Sequence, residues 1–585
     1  MTRLASVLVS ALALLMGTQL DSVAQAAERA APEIFPLSEV QAGMEGYGLT
    51  VFQGTTPERF KVRVVSVLRN FMPKQDIILM QVEDERVRHS GVAAGMSGSP
   101  IYLQNKLAGA LAYAWTFAKD PLAGITPIES MIEDSRRPLR PGKAEAGVVR
   151  PTEHASLNPS LSPVALPLSI SGMDPQSVES MRAGLIELGL TPVAAASGGS
   201  DKKRAAMPVQ LVPGGAVGVE LVRGDMSAVA TGTVTTIMGN TVLAFGHPMM
   251  GAGQVSLPMV GAEIHTILPS LASAFKIASP LGEVGAILQD RRTCIVGTLG
   301  APNDRIPVTV KVITDSGIVR PFSAEVARHE RLTPMLVSMV ASSAVADAEP
   351  DPLDVMVELR TRFEIKGLAP FESHEYVFSP MGFGARTLFG SQGLRALGTI
   401  LGNNFAPADL LRVDLEAKVA FRKDVAQIVS ARIVGSPVRR GDTAKVIVTL
   451  RPFDGKDFTM PVDVKIPSNV SGTTVKLEIA AGDGVRPFMP SPNNLRELAE
   501  NLKKFYPGNS MVVSLSQAES GVAIRDTVLP ALPPAALDTL NPGLDTERPA
   551  VYPVFERTVL ASTRVLTGKI DLVLPLKDEP LGRVD

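Results

Sequence analysis

Gly95-Met96-Ser97-Gly98-Ser99-Pro100, running on through Ile101-Tyr102-Leu103, Gln104-Asn105-Lys106 and Leu107 to Tyr113, is the most informative stretch of this chain. The first six residues describe a serine on a tight turn of small residues, ended by a proline. The residues behind them read as strand, polar turn, strand. Glycine on either side of Ser97 lets backbone N–H groups swing toward one point. A hydroxyl with two convergent main-chain donors is what a serine nucleophile with an oxyanion hole requires, and Gly95 and Ser97 are the expected donors. The competing reading is a plain Gly/Ser turn in a β protein; the hairpin directly behind the turn favours the nucleophile.

The rest of the chain sets bounds on that reading. With 585 residues, several domains are expected rather than one core. The 57 Lys and Arg nearly balance 59 Asp and Glu, and no basic block is long enough for a nucleic-acid tract, so nucleic acid is not an expected partner. Fifty glycines and 46 prolines favour a turn-rich, mainly β architecture. The single cysteine, Cys294, excludes an internal disulfide and a thiolate metal cluster, and its apolar setting (Cys294-Ile295-Val296) reads as core packing. No metal or cofactor is expected.

Residues 1–26 read as a signal peptide: Met1-Thr2-Arg3, an apolar stretch from Leu4 to Met16, and the small-x-small site Ala24-Gln25-Ala26. No later segment reaches the ~20 uninterrupted apolar residues of a membrane span. The expected location is therefore periplasmic, envelope-associated or extracellular, with no integral span after cleavage.

Residues 36–131 read as a first, serine-bearing β unit, with strands at Leu49 to Phe52, Phe60 to Leu68 and Ile77 to Val82. Residues 132–208 read as a linker holding one helix, 174–189, capped by Asp174, opened by Pro175 and stopped at Gly189. Residues 209–310 read as a second β unit. Its hairpin, Thr231 to Met238, Gly239-Asn240, Thr241 to Phe245, delivers Gly246-His247-Pro248. Residues 311–440 read as β-rich, 441–485 as a sandwich-like module, and 486–585 as mixed helix and strand with a proline-rich connector from Leu529 to Pro553.

A serine hydroxyl needs a base, and histidine is the usual one near neutral pH. Of six histidines, His154 falls in the linker, and His329 and His374 have the charged neighbours of solvated surface. His89 reads as a loop residue and His265 as a satisfied core histidine or a supporting group. His247 stands out, pinned between Gly246 and Pro248 directly after a hairpin strand. The base in turn needs a carboxylate or other acceptor to fix its tautomer. Asp84, at a strand end in the serine unit, is the leading carboxylate over Asp76, Glu83 and Glu85.

These residues resemble the SpoIVB-type sporulation serine peptidases. The similarity runs through Gly46-Tyr47-Gly48-Leu49-Thr50, Phe60 to Val67, Ile77 to Asp84, Gly95 to Pro100 and Leu107-Ala108-Gly109-Ala110. It continues around the histidine in Gly232-Thr233-Val234-Thr235, Ala244-Phe245-Gly246-His247 and Ser279-Pro280-Leu281-Gly282-Glu283. It implies roles for Ser97 as nucleophile, His247 as general base and Asp84 as orienting acid. It also implies a chymotrypsin-like double β-barrel followed by β-sandwich-like C-terminal modules. In the family the histidine half comes first, whereas here the serine half does, so the halves are expected to be permuted. The implied activity is an exported serine endopeptidase acting on a protein or peptide, with envelope proteins as further partners. The alternative is a non-catalytic envelope binding or scaffold protein on a peptidase-like fold.

Overall fold

The structure is a computed structural model. It describes residues 32–115, 118–139, 161–194, 207–270, 273–348, 354–380, 385–435, 438–470, 473–487, 489, 491–517, 521–524, 527–530 and 554–577. The expected signal peptide and residues 531–553 of the proline-rich connector lie outside these residues.

Six antiparallel strands make the first barrel: β1 (Glu45–Thr50), β2 (Glu58–Met72), β3 (Gln75–Val82), β4 (Pro100–Leu103), β5 (Lys106–Trp115) and β6 (Leu122–Pro127). Their order around the barrel is β1-β2-β3-β6-β5-β4, and β4 pairs back onto β1. Closure leaves no free edge. Alternation fills the interior: Phe60, Val62 and Val64 of β2 meet Ile78, Met80 and Val82 of β3, with Ile101, Leu103, Leu111 and Ile125 completing the core. The β4–β5 hairpin turns on Gln104 and Asn105, both at positive φ (49° and 63°), the twist a two-residue hairpin needs.

Residues expected to be a linker hold more structure than that. β7 (Leu161–Pro163) pairs with β5. β8 (Leu166–Ser171) and β9 (Leu190–Ala194) run parallel on either side of the helix Pro175–Glu187. That helix begins as expected, with the Asp174 carboxylate accepting from the Ser177 N–H.

The second barrel comprises β10 (Ala216–Gly224), β11 (Ser227–Met238), β12 (Thr241–Ala244), β13 (Gly253–Leu268), β14 (Phe275–Asp290) and β15 (Ile295–Leu299). Its order is β10-β11-β12-β15-β14-β13, closing on β10. Strand for strand this is the order of the first barrel. In each, the third and fourth strands are consecutive in the chain but not paired, and the segment joining them is free to carry a site. Ser97 sits on that segment in the first barrel and His247 on it in the second. The chain is thus mainly β, 53% strand and 16% helix, with a double barrel whose serine half comes first.

The chain divides into two compact units, residues 1–308 with 322–343, and residues 309–321 with 344–585. The first contains both barrels. The second contains an antiparallel set, Phe371–Ser379, Val355–Ile365 and Leu410–Phe421, and a two-sheet sandwich around Val446, Val448, Leu450, Leu477, Ile479, Val513, Leu515 and Leu574. The sandwich draws strands from Val425 to Lys577, well beyond the 441–485 expected, because Thr474–Ala481 pairs with the distant segment Lys569–Lys577. The helix Leu332–Ala348 leaves no periodic signal in the sequence, because apart from Asp347 its residues are apolar or small and show no amphipathic stripe.

Candidate active site

The serine turn is closed by its own backbone. The N–H of Met96 donates to Ala93 O, that of Ser99 to Met96 O, and that of Gly98 to Leu111 O. Among the described residues the N–H groups of Gly95 and Ser97 make no backbone hydrogen bond. Gly95 and Gly98 have φ of +93° and +94°, which an L side chain rarely adopts. Gly98 also has no room for one: a Cβ there would lie 2.0 Å from Thr233 O and 2.5 Å from Phe245 N.

Strands of the histidine barrel hold this turn from outside. Thr233 N–H donates to Ser97 O at 2.8 Å and Thr233 Oγ1 to Gly95 O at 2.9 Å, while Thr235 Oγ1 donates to Gly98 O at 2.8 Å. Ala94 exchanges backbone bonds with Ala274 and Lys276. The Lys276 side chain is fully buried, its methylenes lie under Gly95, and its Nζ donates to Thr50 Oγ1 at 2.8 Å. Burial with no anionic partner pushes its amine down to about 7.

The support is reciprocal. Thr126 Oγ1 of the serine barrel donates to Gly246 O at 2.6 Å, and Gly246 packs on Ala110, Leu111 and Ala112. Phe245 and Gly246 are both left-handed (φ 71° and 72°), and a buried phenylalanine is held there only by a surrounding that overrides its preference. The Phe245 N–H donates to Thr233 O, so one residue, Thr233, links the serine turn and the histidine turn through its two backbone groups.

His247 is 2% exposed and Ser97 0%. The imidazole Nδ1 lies 2.7 Å from the Pro248 carbonyl oxygen, which can only accept, so Nδ1 carries the proton and donates. Nε2 is therefore the acceptor nitrogen. Among the described residues neither it nor Ser97 Oγ has a partner at hydrogen-bonding geometry, so the two buried atoms do not bond each other here. Burial pushes the imidazole down to about 4, against the opposing pull of the Pro248 and Val164 backbones.

Asp84 is placed elsewhere. It caps the short helix Glu85–Ser90, and its carboxylate accepts from the Arg86 N–H, Nε and Nη2. Burial pushes it up, but Arg86 more than offsets this and its carboxyl lies below the usual range. None of these bonds reaches the imidazole, whose Nδ1–H is held by a backbone carbonyl instead. Among the other histidines, His265 Nε2 pairs with Ser279 Oγ at 2.7 Å, and His374 pairs with Glu358. His329 is partly buried and accepts from the Arg331 and Leu332 N–H groups at the start of a helix, which corrects its reading as solvated surface. His154 lies outside the described residues. Cys294 is buried.

Among the described residues no group of His, Cys, Asp or Glu is arranged to hold a metal ion, and no helix is long and apolar enough to cross a membrane. The residues that sequence reading missed are the braces: Thr126, Thr233, Thr235, Lys276 and Asp290. A signal existed for two of them, since Gly232-Thr233-Val234-Thr235 is part of the resemblance. Their hydroxyl contacts across barrels left no local trace.

Comparison with known proteins adds one match. Residues 12–132 match the family model described as SpoIVB peptidase S55, a span that holds Asp84, Ser97 and the serine barrel but not His247. No curated protein matches the chain. The family that both the residues and the match support is thus that of the SpoIVB-type serine peptidases, the likeness carried by the serine-bearing barrel.

Proposed function

We propose that this chain is an exported serine endopeptidase that hydrolyses a protein substrate through Ser97 and His247. The observation that carries the reading is the pair of buried, unpartnered atoms, Ser97 Oγ and His247 Nε2, on two turns joined through Thr233. They are two of several buried side-chain atoms without a hydrogen bond among the described residues, and what sets them apart is that a hydroxyl nucleophile and an acceptor imidazole nitrogen lie on two turns that share Thr233. His247 Nε2 takes the Ser97 proton as Oγ attacks the scissile carbonyl. The N–H groups of Gly95 and Ser97 receive the oxyanion. The imidazolium then gives its proton to the leaving amine, and water releases the acyl group by the same steps in reverse. The Pro248 carbonyl fixes the tautomer, the role the resemblance gave to Asp84. Asp84 and Arg86 instead stabilise the approach to the serine turn. The signal-peptide reading of residues 1–26 supports a periplasmic, envelope-associated or extracellular location for this activity.

A fluorophosphonate probe tests the reading. Folded wild-type protein should be labelled at Ser97, and Ser97→Ala or His247→Ala should abolish labelling. The burial of Ser97 favours one rival, a binding or scaffold protein on a peptidase-like fold. That rival is upheld if the folded wild type stays unlabelled while an envelope partner is captured equally by wild type and Ser97→Ala.

A further inference from the structure

Asp290 ends β14 directly opposite Gly253, where the loop carrying His247 rejoins its barrel. It is buried, and the groups that act on it are main-chain N–H donors rather than a cation. Its carboxylate is spent on backbone. Oδ1 accepts from the Met249 N–H at 2.8 Å, and Oδ2 accepts from those of Met250 at 2.8 Å and Ala252 at 3.2 Å. A buried carboxylate held by main-chain N–H groups, with no cation beside it, still carries a desolvation cost, and its place against the histidine turn suggests a use for it.

The peptide plane supplies one. The Met249 N–H belongs to the same amide as the Pro248 carbonyl, and that carbonyl is the acceptor for His247 Nδ1–H. The amide is planar with its N–H and C=O opposed. A carboxylate on the N–H end therefore fixes the direction of the oxygen at the other end and increases its partial negative charge.

We propose that Asp290 is the acid of this site, a positioning residue that acts on His247 through the Pro248–Met249 peptide group. The chain of contacts is Asp290 Oδ1, Met249 N–H, Pro248 C=O, His247 Nδ1–H. It orients the imidazole and stabilises the imidazolium as a directly bonded carboxylate does in a triad, with no proton passing to the carboxylate. Burial holds the Asp290 carboxyl above the usual carboxylate range, and the N–H groups of Met250, Ala252, Met249 and Gly251 offset this only in part; the geometry of the contacts carries the role.

The inference rests on the peptidase reading for its kinetic arm only. The first measurement is saturation kinetics of fluorophosphonate labelling on the full-length chain, with Asp290→Asn compared with wild type. A misaligned base lowers the maximal labelling rate constant, by on the order of 10- to 100-fold, while the final labelled fraction and the probe's half-saturation stay at wild-type values. A merely structural defect lowers the labelled fraction instead. The second measurement is the His247 Nδ1–H resonance by NMR, which should move upfield in Asp290→Asn as the acceptor weakens. If Asp290→Asn does not fold, Asp290→Glu keeps the charge and displaces it by one methylene, and the same two readings apply. A folded variant with the wild-type rate constant and an unmoved Nδ1–H resonance overturns the proposal. An unlabelled wild type sinks the peptidase reading, yet the NMR arm still decides whether Asp290 orients His247.

Discussion

His247 is where the chemistry of this chain is most exposed to test. A free imidazole titrates near 6.5, and burial pushes this one down to about 4. Below that value Nε2 holds a proton and cannot take one from Ser97; above it the nitrogen is free. The acidic limb of the labelling rate should therefore fall near pH 4. A limb near 6.5 would mean that the imidazole is solvated in the state that reacts. The turns that carry Ser97 and His247 were legible because Gly95 and Gly98 bracket the one and Gly246 and Pro248 flank the other. Asp84 was legible only as an acid at a strand end, and such an acid finds whatever cation is nearest, here Arg86 two residues on. Asp290 gave no signal at all. It closes an apolar strand, and its partners are main-chain N–H groups that any sequence supplies.

Elements were read well where their periodicity is local. The hairpins on either side of Gln104-Asn105 and Gly239-Asn240 carry their turn residues with them. What the elements do for each other was not legible, and β11 shows why. Thr231, Thr233 and Thr235 alternate along it as three identical buried residues, yet Thr233 and Thr235 bond the serine turn while the Thr231 hydroxyl has no partner. Thr233→Val should leave the Gly95 carbonyl unbonded, cost about 1–3 kcal/mol in urea unfolding and slow labelling. Thr231→Val, of the same shape change, should be neutral or stabilising. Equal effects from both would remove the bracing role. On β14, Lys276 makes a pH signature. Its amine titrates at about 7 in the folded protein against 10.5 for an ordinary lysine. Between these values the unfolded chain holds a proton that the native state lacks, so this group makes stability rise with pH from about 7 to 10.5 and adds no slope below. The wild type minus Lys276→Met difference in unfolding free energy, measured across that window, should show this slope. A flat difference would mean that Lys276 stays charged.

At the scale of the whole molecule, one strand order used twice accounts for the site. Each barrel brings its third-to-fourth connection to bear on the other, so the serine turn is held by β11 and β14 and the histidine turn by β5 and β6. Permuting the halves leaves this arrangement intact because it depends on the order within each barrel. The same mutual bracing buries the site. With Ser97 0% exposed, no peptide reaches Oγ in this conformation, so the proposed reaction requires a local opening whose free energy is added to its barrier. Opening exposes surface, so urea favours it in proportion to that surface, as it does global unfolding but with a smaller slope. The maximal labelling rate should therefore increase with urea at concentrations where far-UV circular dichroism is still native, then collapse through the unfolding transition. A rate that only falls from zero urea upward would mean that the resting site already admits the probe and that no opening step limits the reaction.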